Sequence, residues 1–416
     1  MRNRFESTLH AIYTAALAAL VFFTPLVFTT RTFESYEFPK MTFVYILGGL
    51  VILTFLVEQL LGGKKLSFHL RWVEIFVLAN ILSTIFSTHV YTSLWGYYTR
   101  FAGGLFSVLI FYGIYKAAGL LSENQWNRLF KLLATTMLPI GFYAIYQHWG
   151  APESRVFSTF GQPNWLAAYS TVLIPVTLSY FLRQEGLEKR IWAVFYLLGF
   201  CGLWFSYSMS GLLGFLVSIS VFLYMNKGFI KMQARPLSVL LVISIIISVL
   251  SPGLFKGRLN DAVTDFRKLF SLREVYALSE SQYSVSDAGS IRKYLWKGTM
   301  RLVFSGPKNF FVGTGPETFA YEFQPFRPAE LNLTSEWNFV FNKPHNYYLE
   351  ILANLGAVGL AAYLGTVFSS LKKGGGMITP ALTALYVTNF FGWPTVSTLL
   401  LFWLFLAYCQ RRVDLG

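Results

Sequence analysis

Twelve stretches of this chain, from Leu9–Thr29 to Val396–Cys409, are apolar runs that carry little or no charge and approach the length of a bilayer crossing. A spanning helix needs about 20 mostly apolar residues, because hydrocarbon offers no partner for backbone polar groups and the helix satisfies them internally. Of the 416 residues, 13% are charged and 54% hydrophobic, whereas a soluble domain keeps about a quarter of its residues charged. The pattern predicts an all-α polytopic membrane protein of about twelve transmembrane helices. Residues 1–251 would hold helices one to nine, and 344–416 helices ten to twelve. The polar interval 252–343 is too long for a connecting turn, so it is expected to fold as one large, partly helical extracytoplasmic loop.

Of the 34 basic residues, twelve fall in 252–343 itself, and the other 22 are distributed according to this topology. Eighteen basic residues, among them Lys64, Lys65, Arg183, Lys189 and Arg190, fall in alternate connections or at the adjoining span ends. The short connections between them hold four, Arg31, Lys40, Arg100 and Arg155. Basic residues stay on the cytoplasmic side, which places both termini inside and 252–343 outside a cell inner (cytoplasmic) membrane. Basicity is thus a topology signal, and a nucleic-acid partner is not expected. The first apolar run is too long and lacks a small-residue cleavage site, so it reads as a retained signal anchor. Cys201 and Cys409 lie inside spans and read as packing residues. Glu58, Glu74, Lys116, Lys131 and Glu350 sit toward span ends, where they are expected to snorkel. No carboxylate falls at a span centre, which weakens an ion-coupled transporter. No acidic cluster has metal-ligand spacing, so neither a metal nor another cofactor is implied.

Chemistry is expected in and around the long loop. Phe255, Leu259, Val263, Phe266 and Phe270 recur at helical spacing beside Arg258, Arg267 and Lys268, an amphipathic pattern suited either to the headgroup region or to packing on neighbouring spans. A second helical stretch follows from Asp287 through Arg292, Trp296 and Leu302, and Gly306-Pro307 ends it. In Val312-Gly-Thr-Gly-Pro-Glu-Thr-Phe319 the glycines form a turn, structural or with amides free to face an anion. The loop closes on Lys343-Pro-His-Asn-Tyr-Tyr348. Pro344 suits the first position of the returning helix, placing His345 in its first turn, where the dipole disfavours imidazolium and leaves a neutral ring able to accept a hydroxyl proton. Guanidinium forks match phosphate oxygens, so Arg100, Arg155 and Arg292 are candidate diphosphate-binding cations.

The run Pro344–Leu360 resembles the histidine-asparagine signature of the O-antigen ligase and polymerase superfamily. Ser158–Ala167 is similar to that family's motif at the start of a central span, and Arg292 with Trp296 and Gly313–Phe319 to the pattern preceding its histidine. The resemblance implies a GT-C type membrane glycosyltransferase, metal-independent and inverting, that moves a glycan from an undecaprenyl-diphosphate carrier to an acceptor hydroxyl outside the membrane. Its partners would be that donor, a lipid or glycan acceptor and the bilayer. His345 would activate the acceptor, Arg292 would bind the donor diphosphate, and Asn164, Asn346 and Tyr348 would contact substrate. Many relatives carry a serine-arginine-glycine element where this chain reads Ser206-Tyr-Ser-Met-Ser210-Gly, without the arginine. Polymerisation of carrier-linked repeat units is the first alternative, and transport or lipid-glycan binding without catalysis the second.

Overall fold

The computed structural model describes residues 2–61, 70–151, 154–251 and 288–414, together with 260, 263, 264 and 267. Most of the expected amphipathic stripe 255–270, Arg258 included, lies outside the described residues. Among those described, every regular element is helical. The helices important here are α1 (Arg2–Phe23), α2 (Glu37–Leu61), α3 (Trp72–Ile85), α4 (Val90–Trp95), α5 (Leu105–Ala118), α6 (Glu123–Thr135), α7 (Met137–Gly150), α8 (Pro163–Arg183), α9 (Gly186–Phe205), α10 (Met209–Met225), α11 (Lys227–Met232) and α12 (Ala234–Leu250). They are followed by α13 (Ala288–Val303), α14 (Pro307–Phe311), α15 (Phe319–Glu322), α16 (Tyr347–Lys373), α17 (Gly375–Phe390) and α18 (Val396–Asp414).

Four helical stretches among the described residues are long and apolar enough to cross a membrane: Glu37–Leu61, Glu123–Gly150, Pro163–Arg183 and Tyr347–Lys373. Others of the expected spans are shorter apolar helices, such as Trp72–Ile85 and Met209–Met225. The latter stops at Asn226, whose side-chain amide donates to the carbonyls of Phe222 and Gly376. At the centre stands α8. From Leu166 to Leu182 all its residues but Ala168 are buried, as befits a helix apolar on every side, and it packs against α9, α10 and α17.

One of the charged residues expected to snorkel is instead engaged inside the bundle. Glu74 is 1% exposed, accepts hydrogen bonds from Arg71 N and the Tyr112 hydroxyl, and lies 3.6 Å from Lys116. Each of these contacts replaces hydration that the carboxylate would otherwise seek at the interface. Cys201 and Cys409 are buried free thiols, as their positions predicted.

Between the bundle's last apolar hairpin and α16, residues 288–343 build a second core. Ile291, Leu295 and Leu302 of α13 meet Phe319, Phe323, Leu331 and Phe341, and the cluster docks on Ala353 of α16. The docking depends on a break in α16 at Gly356, whose φ of 67° and ψ of −172° are non-helical. A break leaves carbonyls of the preceding turn without intrahelical donors. Thr314 N donates to Ala353 O and Gly315 N to Asn354 O, each at 3.0 Å. The glycine turn therefore does not offer these amides to an anion, because a broken helix uses them.

The fit leaves no room for side chains. A Cβ on Gly313, where φ is +83°, would lie 2.3 Å from the Asn354 carbonyl, and one on Gly356 equally close to the Phe311 backbone. Gly313→Ala is expected to destabilise the protein by about 2–4 kcal/mol, combining a left-handed backbone with overpacking. Thermal unfolding in detergent would show this as a lowered midpoint, and an unchanged midpoint would mean that the turn gives way easily.

Candidate active site

Asn346, rather than Pro344, starts α16. Its Oδ1 accepts from Tyr348 N at 3.0 Å and Leu349 N at 3.1 Å, a capping role for which asparagine is strongly preferred. The helix thus begins at Tyr347, and His345 stands before the cap rather than in the first turn as expected. Its φ is 57°, a left-handed conformation that non-glycine residues adopt seldom and histidine more readily than most.

Both flanks of this bend are held. On one side, Trp296 of α13 donates its indole N–H to the Pro344 carbonyl at 3.1 Å. On the other, Lys343 Nζ reaches Glu317 Oε1 at 2.6 Å and Glu350 Oε1 at 2.5 Å, tying the segment to the loop after Pro316 and to α16. Burial alone would push Lys343 down, but the two carboxylates outweigh it and hold the ammonium above its ordinary value.

His345 is half-buried and faces a cavity also lined by Asn164, Trp165, Ser210, Arg292 and Trp393. Three of the site residues expected from sequence, Asn164, Arg292 and His345, therefore converge. They come from the first turn of α8, the first turns of α13 and the bend before α16. Burial, with the charges of Arg292 and Arg100 acting in the same direction, lowers His345 to about 4. The neutral ring expected from the helix dipole is thus present, with a different cause.

Arg100 borders this group from a second cavity, which it shares with Glu37, Glu317, Lys343, Glu350 and Trp393. Its guanidinium carbon lies 5.4 Å from the Trp165 ring and 5.7 Å from the Trp393 ring, a cation–π arrangement that favours a cation where water is scarce. Trp393 also meets the His345 ring edge-on, with centroids 5.0 Å apart.

Arg155 stands one layer back. Its Nε donates to the Ser206 carbonyl at 3.0 Å and its Nη2 to Asn164 Oδ1 at 2.8 Å, so it supports a cavity residue without lining either cavity. Tyr348 is turned toward α17, where its hydroxyl donates to the Tyr386 carbonyl at 2.9 Å.

The family described as O-antigen ligase matches residues 193–364. Over that segment, which is less than half of the chain, the sequence is similar to the O-antigen ligase family. No curated protein matches the chain. The matched segment contains Ser210, Arg292 and His345, whereas Asn164, Trp165 and Trp393 of the same cavity lie outside it. The match supports a membrane enzyme of the ligase and polymerase kind, a family whose members act on glycans.

Trp393 was absent from the sequence expectations. The signal available was Gly392-Trp-Pro394 at the break between two apolar runs, a place where irregular backbone is tolerated only if it is buried or lines a cavity.

Proposed function

We propose that this enzyme transfers a glycan from an undecaprenyl-diphosphate carrier to an acceptor hydroxyl on the outer face of the inner membrane, with the long loop on that side and both termini cytoplasmic. The observation that carries the reading is the meeting of a neutral imidazole and a guanidinium, His345 and Arg292, on one cavity. Arg292, aided by Arg100, stabilises charge developing on the leaving diphosphate, and preorganised charge of this kind is usually the larger catalytic contribution. His345 takes the acceptor proton, and attack opposite the leaving group inverts the anomeric centre. Arg155, reaching the Ser206 carbonyl, brings a guanidinium to the stretch where many relatives have an arginine of their own.

The test is transfer by purified protein from a synthetic polyprenyl-diphosphate oligosaccharide to lipid and glycan acceptors, run with and without a chelator. Arg292→Ala is expected to lower kcat by about 10²–10³-fold, and Arg292→Lys to recover part of it, since an ammonium keeps the charge without the fork. The acceptor that works separates ligation from polymerisation, and Arg292→Ala with unchanged turnover sinks the mechanism.

A further inference from the structure

The loop that aims Arg100 at the cavity presents a second set of side chains on its other face. It runs from Gly96 to Gly104 and closes tightly on itself. Gly96 has φ +93°, and a Cβ there would lie 2.3 Å from the Ala102 carbonyl oxygen. Arg100 N and Phe101 N both donate to Tyr97 O at 3.0 Å, and the Tyr45 hydroxyl donates to the Phe101 carbonyl at 3.1 Å. Tyr97 and Arg100 are therefore the two ends of one pinned turn.

From that turn a chain of rings extends over the surface. Tyr98 meets Tyr97 with centroids 4.7 Å apart, Tyr97 meets Tyr321 of α15 at 6.2 Å, and Tyr321 stacks on His89 at 4.5 Å with ring planes 24° apart. Tyr98 is 62% and Tyr321 39% exposed. Glu322 forms a polar margin, accepting from Thr88 and lying 3.5 Å from His89 Nε2.

We propose that these rings are a saccharide-binding platform, on which the glycan lies while Arg100 and Arg292 hold the diphosphate. The chemistry fits a sugar better than a lipid chain. Aromatic faces take up the C–H faces of pyranose rings, and phenol, imidazole and carboxylate groups at the margin exchange hydrogen bonds with hydroxyls, whereas acyl chains have no use for that margin. Continuity supports the same occupant, because the turn carrying Tyr97 and Tyr98 ends in the arginine stacked on Trp165 and Trp393. The proposal rests on the reading of the chain as a glycan transferase.

The saccharide can come from the donor or from a glycan acceptor, so the test uses both without the lipid diphosphate. Full-length protein in nanodiscs is titrated with the free donor oligosaccharide and with the acceptor glycan, and saturation-transfer NMR reads the contact. Tyr98→Ala and Tyr321→Ala are each expected to weaken binding of one saccharide by about tenfold, with Tyr98→Phe close to wild type and the exposed Tyr224→Ala, far along the chain on α10, unchanged. The saccharide affected identifies the source. Binding that is absent in wild type, or equal in Tyr98→Ala and Tyr321→Ala at unchanged thermal stability, overturns the platform and leaves these rings as interfacial anchors. Arg292→Ala serves as the separator. Loss of transfer with retained saccharide binding supports both readings, whereas saccharide binding in a protein whose transfer is indifferent to Arg292→Ala keeps the platform and removes the mechanism.

Discussion

His345→Ala is expected to lower the rate of glycan transfer by about 10²–10⁴-fold, the usual range for a positioned general base, while leaving donor binding to the arginines largely intact. The expectation depends on a neutral ring, and burial with Arg292 and Arg100 keeps His345 at about 4, below the free value of 6.5. Its ring is therefore uncharged from about pH 5 to 8, and no acid limb near 6.5 in the rate profile should belong to it. A base this weak needs activation, which the donor itself can supply. A diphosphate bound between Arg292 and Arg100 offsets the two cations that depress the ring and raises its basicity as the complex forms, although the burial contribution remains. Following the imidazole by NMR should give a midpoint near 4 in the free protein and a higher one with undecaprenyl diphosphate added. A midpoint at or above 6.5 without ligand, or full transfer by His345→Ala, removes the base from the mechanism. The sign for stability follows from the same shift. The unfolded ring binds a proton below 6.5 and the folded one only near 4, so this contribution is complete above 6.5 and lost as pH falls through that window.

The helical, membrane-spanning class was legible because lipid imposes a simple rule, long apolar runs that satisfy their own backbone. Arg292, His345 and Asn164 were legible because each stood in a motif of the resemblance, and the structure brings them to one cavity. What sequence could not supply were the competitions between local roles. Pro344 and Asn346 both suit a helix start, and the cap won because Asn346 Oδ1 satisfies two amides at once. The amides after Gly313 fitted a structural turn or, less well, an anion, and the break at Gly356 supplied the carbonyls that use them. Asn346 and Tyr348 were expected to touch substrate, but one caps a helix and the other hydrogen-bonds α17. Glu350 was expected to reach for the interface, yet its partner Lys343 lies seven residues away across the bend, a pairing that neither helical nor strand periodicity reveals.

That pairing carries the largest expected loss of stability. Lys343 is 8% exposed, Glu317 6% and Glu350 4%, so all three charges have left water and depend on one another. Replacing Lys343 by methionine removes the shared cation and leaves two carboxylates facing each other, and breaking a buried pair in this way costs about 3–5 kcal/mol. The strap also holds the chain two residues before His345, whose left-handed backbone persists only where its surroundings over-determine it. Lys343→Met is therefore expected to lower the unfolding midpoint sharply and to abolish transfer. The triple variant Lys343→Met, Glu317→Gln, Glu350→Gln removes every charge together, and because neutral replacement of a buried ionic cluster often costs little, it should regain most of the lost stability. Transfer in the triple variant then measures what the ions do for geometry. Activity that stays low at restored stability assigns the strap to positioning His345, whereas recovered activity shows that packing around Trp296 and Asn346 alone suffices to hold the bend. A single Lys343→Met protein that unfolds at the wild-type midpoint would falsify the view that this ion pair holds the loop to α16.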